Sequence, residues 1–77
     1  MSARPVKHSV TLRGHRTSVS LEDEFWIEFR KLAAAQSKPI NALVAEIDED
    51  RGLDMGLASA IRLYVLRALR DGLPKNG

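Results

Sequence analysis

The stretch Arg16-Thr17-Ser18-Val19-Ser20-Leu21, running straight into Glu22-Asp23-Glu24-Phe25-Trp26, decides the fold. Its first six residues alternate polar and apolar types and include the β-branched Thr17 and Val19, which is a strand pattern. Successive strand side chains point to opposite faces. Thr17, Val19 and Leu21 therefore share one face, and Arg16, Ser18 and Ser20 share the other. The acids that follow suit the positive end of a helix dipole. A polar-faced strand thus leads directly into a helix.

Upstream the alternation changes phase. Val10 and Leu12 sit on one parity, Val19 and Leu21 on the other. Gly14 is the candidate for the turn or bulge that shifts the register. The sequence admits two short strands, or one strand over about 16–21 after an irregular lead-in. Residues 1–13 read as a flexible basic arm with a possible short strand at 9–12. A lone strand leaves backbone N–H and C=O groups unpaired. Two remedies are open. The same strand from two chains pairs across a two-fold axis, or Ser9–Leu12 folds back on Thr17–Leu21 as a hairpin. The two are compatible, since two hairpins can meet in a dimer.

Downstream, a first helix is expected over about 23–36, with Phe25, Trp26, Phe29, Leu32, Ala33 and Gln36 on one face and Ile27 opposite. Ser37-Lys38-Pro39 breaks it, because Pro39 disfavours helical geometry at Lys38. Asn41 is a good N-cap for a second helix over about 42–51, carrying Leu43, Val44 and Ile47. Gly52 is the expected left-handed terminator. Asp54 is a candidate cap for a third helix over 57–70. That helix has Leu57, Ala58, Ile61, Tyr64, Val65, Ala68 and Leu69 on one broad face and Leu63 and Leu66 off it. A helix apolar on more than one side calls for burial on more than one side, which in so short a chain implies a partner. The domain is expected at 14–72, with a flexible tail at 73–77.

At 77 residues, 44% hydrophobic and 29% charged, the chain has the composition of one small globular domain. It has no cysteine, so disulfides, thiolate zinc sites and cysteine nucleophiles are excluded. No apolar run reaches the ~18 residues of a membrane helix. Met1 to His8 contains no apolar segment of signal-peptide type, and the cytoplasm is the expected compartment. The net charge of +2 conceals an asymmetry. Residues 1–20 carry Arg4, Lys7, Arg13 and Arg16 and no acid, whereas residues 21–50 are dominated by acids. A basic leading segment suits a polyanionic partner.

The order basic strand, helix, helix resembles the ribbon-helix-helix (MetJ/Arc-type) class of DNA-binding domains. The resemblance rests on Arg16 to Leu21, on Glu22 to Trp26, and on the short Gln36-Ser37-Lys38-Pro39-Ile40-Asn41 turn. Leu43-Val44-Ala45-Glu46-Ile47-Asp48 and Ala58-Ser59-Ala60-Ile61-Arg62 extend it to a group of short bacterial ribbon-helix-helix domains. It implies a mostly α fold whose N-terminal strand pairs across a two-fold dimer; the third helix departs from the pattern, as an additional C-terminal helix or as half of a split second helix. It also implies a homodimer that binds double-stranded DNA as a transcription regulator. A two-stranded ribbon fits the major groove. On this reading Arg16, Ser18 and Ser20 contact bases. Asn41 and Ala42, with Lys38 nearby, hold phosphate at a helix N-terminus, and Arg4, Lys7 and Arg13 add unspecific phosphate contacts.

The competing reading is an adaptor, of antitoxin type, that grips another protein through helix 57–70. His8 and His15 lack the spacing and neighbours of a metal site. No nucleophile elbow, phosphate loop or zinc-helix motif occurs. Trp26, Phe25 and Phe29 read as core. Neither an enzyme nor a cofactor is expected.

Overall fold

The phase change in the strand pattern has a simple origin. The computed structural model, which describes residues 4–72, turns the chain back at Arg13-Gly14, both in left-handed conformation with φ of 52° and 81°. Positive φ at both central residues is the two-residue turn whose twist suits a hairpin. Such a turn pairs each even-numbered residue with an odd-numbered one. β1 (Pro5–Leu12) accordingly lies antiparallel to β2 (His15–Glu22), from Leu12 opposite His15 out to Pro5 opposite Glu22. Val10, Val19 and Leu21 then share one face and are buried. A left-handed arginine is strained by about 1–2 kcal/mol. Arg13 is held there by an ion pair with Asp48 at 3.2 Å.

Three helices follow: α1 (Asp23–Ala35), α2 (Ile40–Asp50) and α3 (Leu57–Gly72). The α1 C-terminus closes with Ser37 at φ 55°. There the Lys38 N–H donates to the Ala33 carbonyl at 2.9 Å and the Ser37 N–H to the Ala34 carbonyl at 3.0 Å. This paired closure satisfies carbonyls that a helix end otherwise leaves bare. It also aims the chain back under the ribbon. α2 packs against β1, and α1 and α3 pack against β2. The core joins the inner ribbon face to Phe29 and Ala33 of α1, Leu43, Val44 and Ile47 of α2, and Ala60, Ile61 and Val65 of α3. Full burial of each large side chain among these is worth about 1.5–3 kcal/mol.

Several expectations need correction. Residues 5–12 are a strand rather than part of a flexible arm, because β2 supplies their hydrogen-bond partners. Of the two compatible remedies for an unpaired strand, the hairpin is present, with β1 folded back on β2. Residues 1–3 of the arm and the expected tail at 73–77 lie outside the described residues. α2 begins one residue before Asn41, with Pro39 at the cap position. Gly52 is not left-handed, and α2 ends on the extended Arg51. The first α3 hydrogen bond runs from the Ala60 N–H to the Gly56 carbonyl, so Gly56 rather than Asp54 stands at its cap position. Ile27 and Leu66 are exposed, Leu63 is half-buried, and Leu69, expected in the core face, is also exposed.

Candidate nucleic-acid interface

Opposite residues of an antiparallel pair point to the same side of a sheet. The register therefore defines a second face, turned away from all three helices. It carries Arg16 opposite Thr11, Ser18 opposite Ser9, and Ser20 opposite Lys7. All six are exposed. The inner face has Val10, Val19 and Leu21, with His8 opposite Val19. The His8 ring stacks on half-buried Trp26 at 4.1 Å, nearly parallel. One pair of strands thus presents a dry side and a polar, cationic side.

The three base-contacting candidates, Arg16, Ser18 and Ser20, come together on this outer face. Lys7, expected as an unspecific arm contact, stands on the same face within β1. Ser9 and Thr11, which the sequence reading does not single out, share this face as well. Their signal was the mirrored parity about Arg13-Gly14, which places β1 residues of odd number beside β2 residues of even number. Arg4 is exposed just ahead of β1. Arg4, Lys7 and Arg16 make no ion pair among the described residues.

The remaining phosphate candidates are more constrained. Arg13, at the hairpin tip, shares Asp48 with Arg51, which approaches the same carboxylate at 2.6 Å. The Arg13 side chain nevertheless remains 58% exposed. Lys38 pairs with Glu46 at 2.7 Å, which offsets its charge. The Asn41 side chain accepts the Thr11 N–H at 2.9 Å, and this bond fastens the start of α2 to the β1 edge. The Ala42 N–H is taken by the Pro39 carbonyl at 3.1 Å. The N–H groups of Ile40 and Asn41 have no acceptor among the described residues. The positive end of α2 therefore opens beside the Thr11–Arg16 end of the outer face, with the N–H of Ile40, unlike that of Ala42, unpaired among the described residues.

At the opposite end of the ribbon α3 makes the corresponding attachment. Arg62 donates from Nε to Glu22 Oε1 at 2.9 Å and from Nη2 to the Ser20 carbonyl at 3.2 Å. Its guanidinium lies 5.9 Å from the centre of the Phe25 ring. The hydrogen bond from Arg62 holds the Glu22 carboxyl below the ordinary carboxylate range. A backbone hydrogen bond adds to the lowering, and desolvation opposes it.

Helix 57–70, the candidate grip for another protein, lies within α3. Its Ala60, Ile61 and Val65 are spent on the core of this chain, and Leu66 and Leu69 remain exposed. An open groove of about 470 Å³ lies between α2 and α3, with Ile47, Met55 and Tyr64 in its wall. Among the described residues no helix is long and apolar enough to cross a membrane. A family model described as the Ribbon-helix-helix domain matches residues 5–69. No curated protein and no solved structure matches the chain.

Proposed function

Since the chain belongs to the ribbon-helix-helix family, whose members are generally DNA-binding transcription regulators, we propose that it binds double-stranded DNA sequence-specifically and regulates transcription as a homodimer. The observation that carries this reading is the outer ribbon face. Arg16, Ser18 and Ser20 are exposed, lie on one side, and are turned away from the core. An antiparallel pair of strands is the right width for the major groove, where an arginine can bond guanine O6 and N7 together and a serine can donate or accept. The bare N–H groups at the start of α2 suit a flanking phosphate. Arg4 and Lys7 add charge without base information. Lys38 and Arg13 contribute less, because each already faces a carboxylate.

The test is selection of bound duplexes from a random pool at about 150 mM salt, where unspecific electrostatic binding is already weakened. A protein with Arg16, Ser18 and Ser20 all changed to Ala serves as control. An enriched motif that the control fails to enrich is the expected result. A folded wild-type protein that enriches nothing overturns the proposal.

A further inference from the structure

α2 ends against its own dipole. The C-terminal end of a helix is its negative end and favours cations. The last turn of α2 instead carries Asp48, Glu49 and Asp50 and no base. Asp48 is paired with Arg13 at 3.2 Å and with Arg51 at 2.6 Å. Glu49 and Asp50 are exposed and make no ion pair among the described residues.

Both line the open groove between α2 and α3. Its main hollow, of about 470 Å³, has Ile47, Met55, Leu63 and Tyr64 in its wall and Asp50 on its α2 side. A second hollow continues it, sharing Ile47, Asp50 and Tyr64 and adding Glu46 and Glu49. Glu46 is offset by Lys38. Across the groove, on α3, stand Arg67 and Asp71, which make no ion pair among the described residues either. Three uncommitted carboxylates therefore line the groove against one uncommitted guanidinium.

The walls are fixed in advance. The Tyr64 hydroxyl accepts from Gln36 Nε2 at 2.6 Å, and its ring meets Phe29 edge-on. Arg51 donates from Nη1 to the Met55 carbonyl at 2.6 Å while its Nε holds Asp48, which ties the linker between the helices to α2. A preformed wall costs a ligand little ordering. Beside it Leu53, between the groove residues Gly52 and Met55, is fully exposed.

We infer that this groove docks a basic amphipathic helix of another protein. The apolar residues of that helix, a turn apart, lie on Ile47, Met55, Leu63 and Tyr64. Its lysines or arginines stand over Glu49 and Asp50. A helix laid into an apolar groove is a recurring mode of recognition, and the excess of carboxylates selects cationic flanks. The same charge disfavours other occupants. DNA is a polyanion. A second copy meeting this face with its own about a two-fold axis sets Glu49 and Asp50 against like charges. The outer ribbon face is turned away from all three helices, so a helix bound here leaves it open, and the inference stands apart from the DNA-binding reading.

The experiment selects random peptides of about 16 residues, some four turns of helix, displayed on phage against the folded protein. Synthetic copies of the enriched peptides are titrated by fluorescence anisotropy against wild type, Leu63→Gln and the double variant Glu49→Lys/Asp50→Lys. The double variant takes acids from a negative helix end, so it should fold at least as well as wild type. Far-UV circular dichroism checks both variants. The expected peptides carry apolar residues a turn apart and an excess of Lys and Arg, and their affinity falls about tenfold on either variant. Enrichment of nothing, or of peptides that bind both variants as tightly as wild type, overturns the inference. Peptides that lose affinity only on Leu63→Gln overturn the basic partner, because the carboxylates then select nothing. Sedimentation of the three proteins at micromolar concentration tests the second copy. The masses should agree, and a lower mass for either variant means that another copy covers the groove and the inference falls.

Discussion

The two faces of the hairpin share one backbone and one set of ladder hydrogen bonds, yet they answer to different demands. The inner face places Val10, Val19 and Leu21 against all three helices, none of them more than 4% exposed. The outer face places the side chains of Lys7, Ser9, Thr11, Arg16, Ser18 and Ser20 in solvent, and only the backbone of Thr11 and Ser20 is bonded by a helix residue. Stability and recognition are thus separated by one step along the chain. The same substitution at neighbouring positions should fail for different reasons.

The inner face should show the larger effect. Leu21 is fully buried at the junction of β2, α1 and the core. Leu21→Ala removes buried methyl groups and leaves a cavity, at a cost of about 2–5 kcal/mol. That is a large share of the stability of a small domain. Urea unfolding should give a much lower midpoint, and DNA binding should decline only in proportion to the unfolded fraction. A Leu21→Ala protein of wild-type stability would remove the distinction between the faces.

Arg16→Ala should invert that pattern. Its side chain faces solvent and makes no ion pair among the described residues, so its stability should stay within about 0.5 kcal/mol of wild type. Binding to the preferred duplex should weaken by about 1–3 kcal/mol, with relaxed base preference at one position. A titration at fixed salt measures both. Uniform weakening on every sequence, with a shallower salt slope, would instead make Arg16 a phosphate contact.

The sequence shows the two faces unequally. β2 is legible because Val19 and Leu21 alternate with serines, and the helices are legible from their apolar periodicity. β1 is obscured by its own inner face, where His8 stands in place of an apolar residue and Val6 is 43% exposed. The ring of His8 is accommodated by Trp26, which lies eighteen residues away and leaves no local trace. Asn41 misleads for a related reason. It is a typical capping residue, but its side chain is drawn to Thr11, thirty residues distant, and the cap position passes to Pro39. Leu69 misleads because α3 continues beyond the core it packs on. What the sequence hides are contacts between elements, and the edge attachments of the ribbon are among them.

The smallest effect tests the seam between the faces. Glu22 ends β2, and its carboxyl is held below the ordinary range chiefly by the hydrogen bond from Arg62. A carboxylate whose folded pKa is lowered adds stability that is fully present above its unfolded value. That stability is lost as pH falls through the ordinary glutamate range to the lowered one. Arg62→Met keeps an apolar stem near Phe25 but removes both the donor to Glu22 and the donor to the Ser20 carbonyl. Urea midpoints measured from neutral pH into the acid range should therefore fall more steeply for wild type than for Arg62→Met, the gap narrowing toward the acid end to what the Ser20 carbonyl bond alone contributes. Curves that run parallel would show that the pair adds nothing to stability. Arg62 would then hold the ribbon through Ser20 alone, and the variant's loss would be the same at every pH.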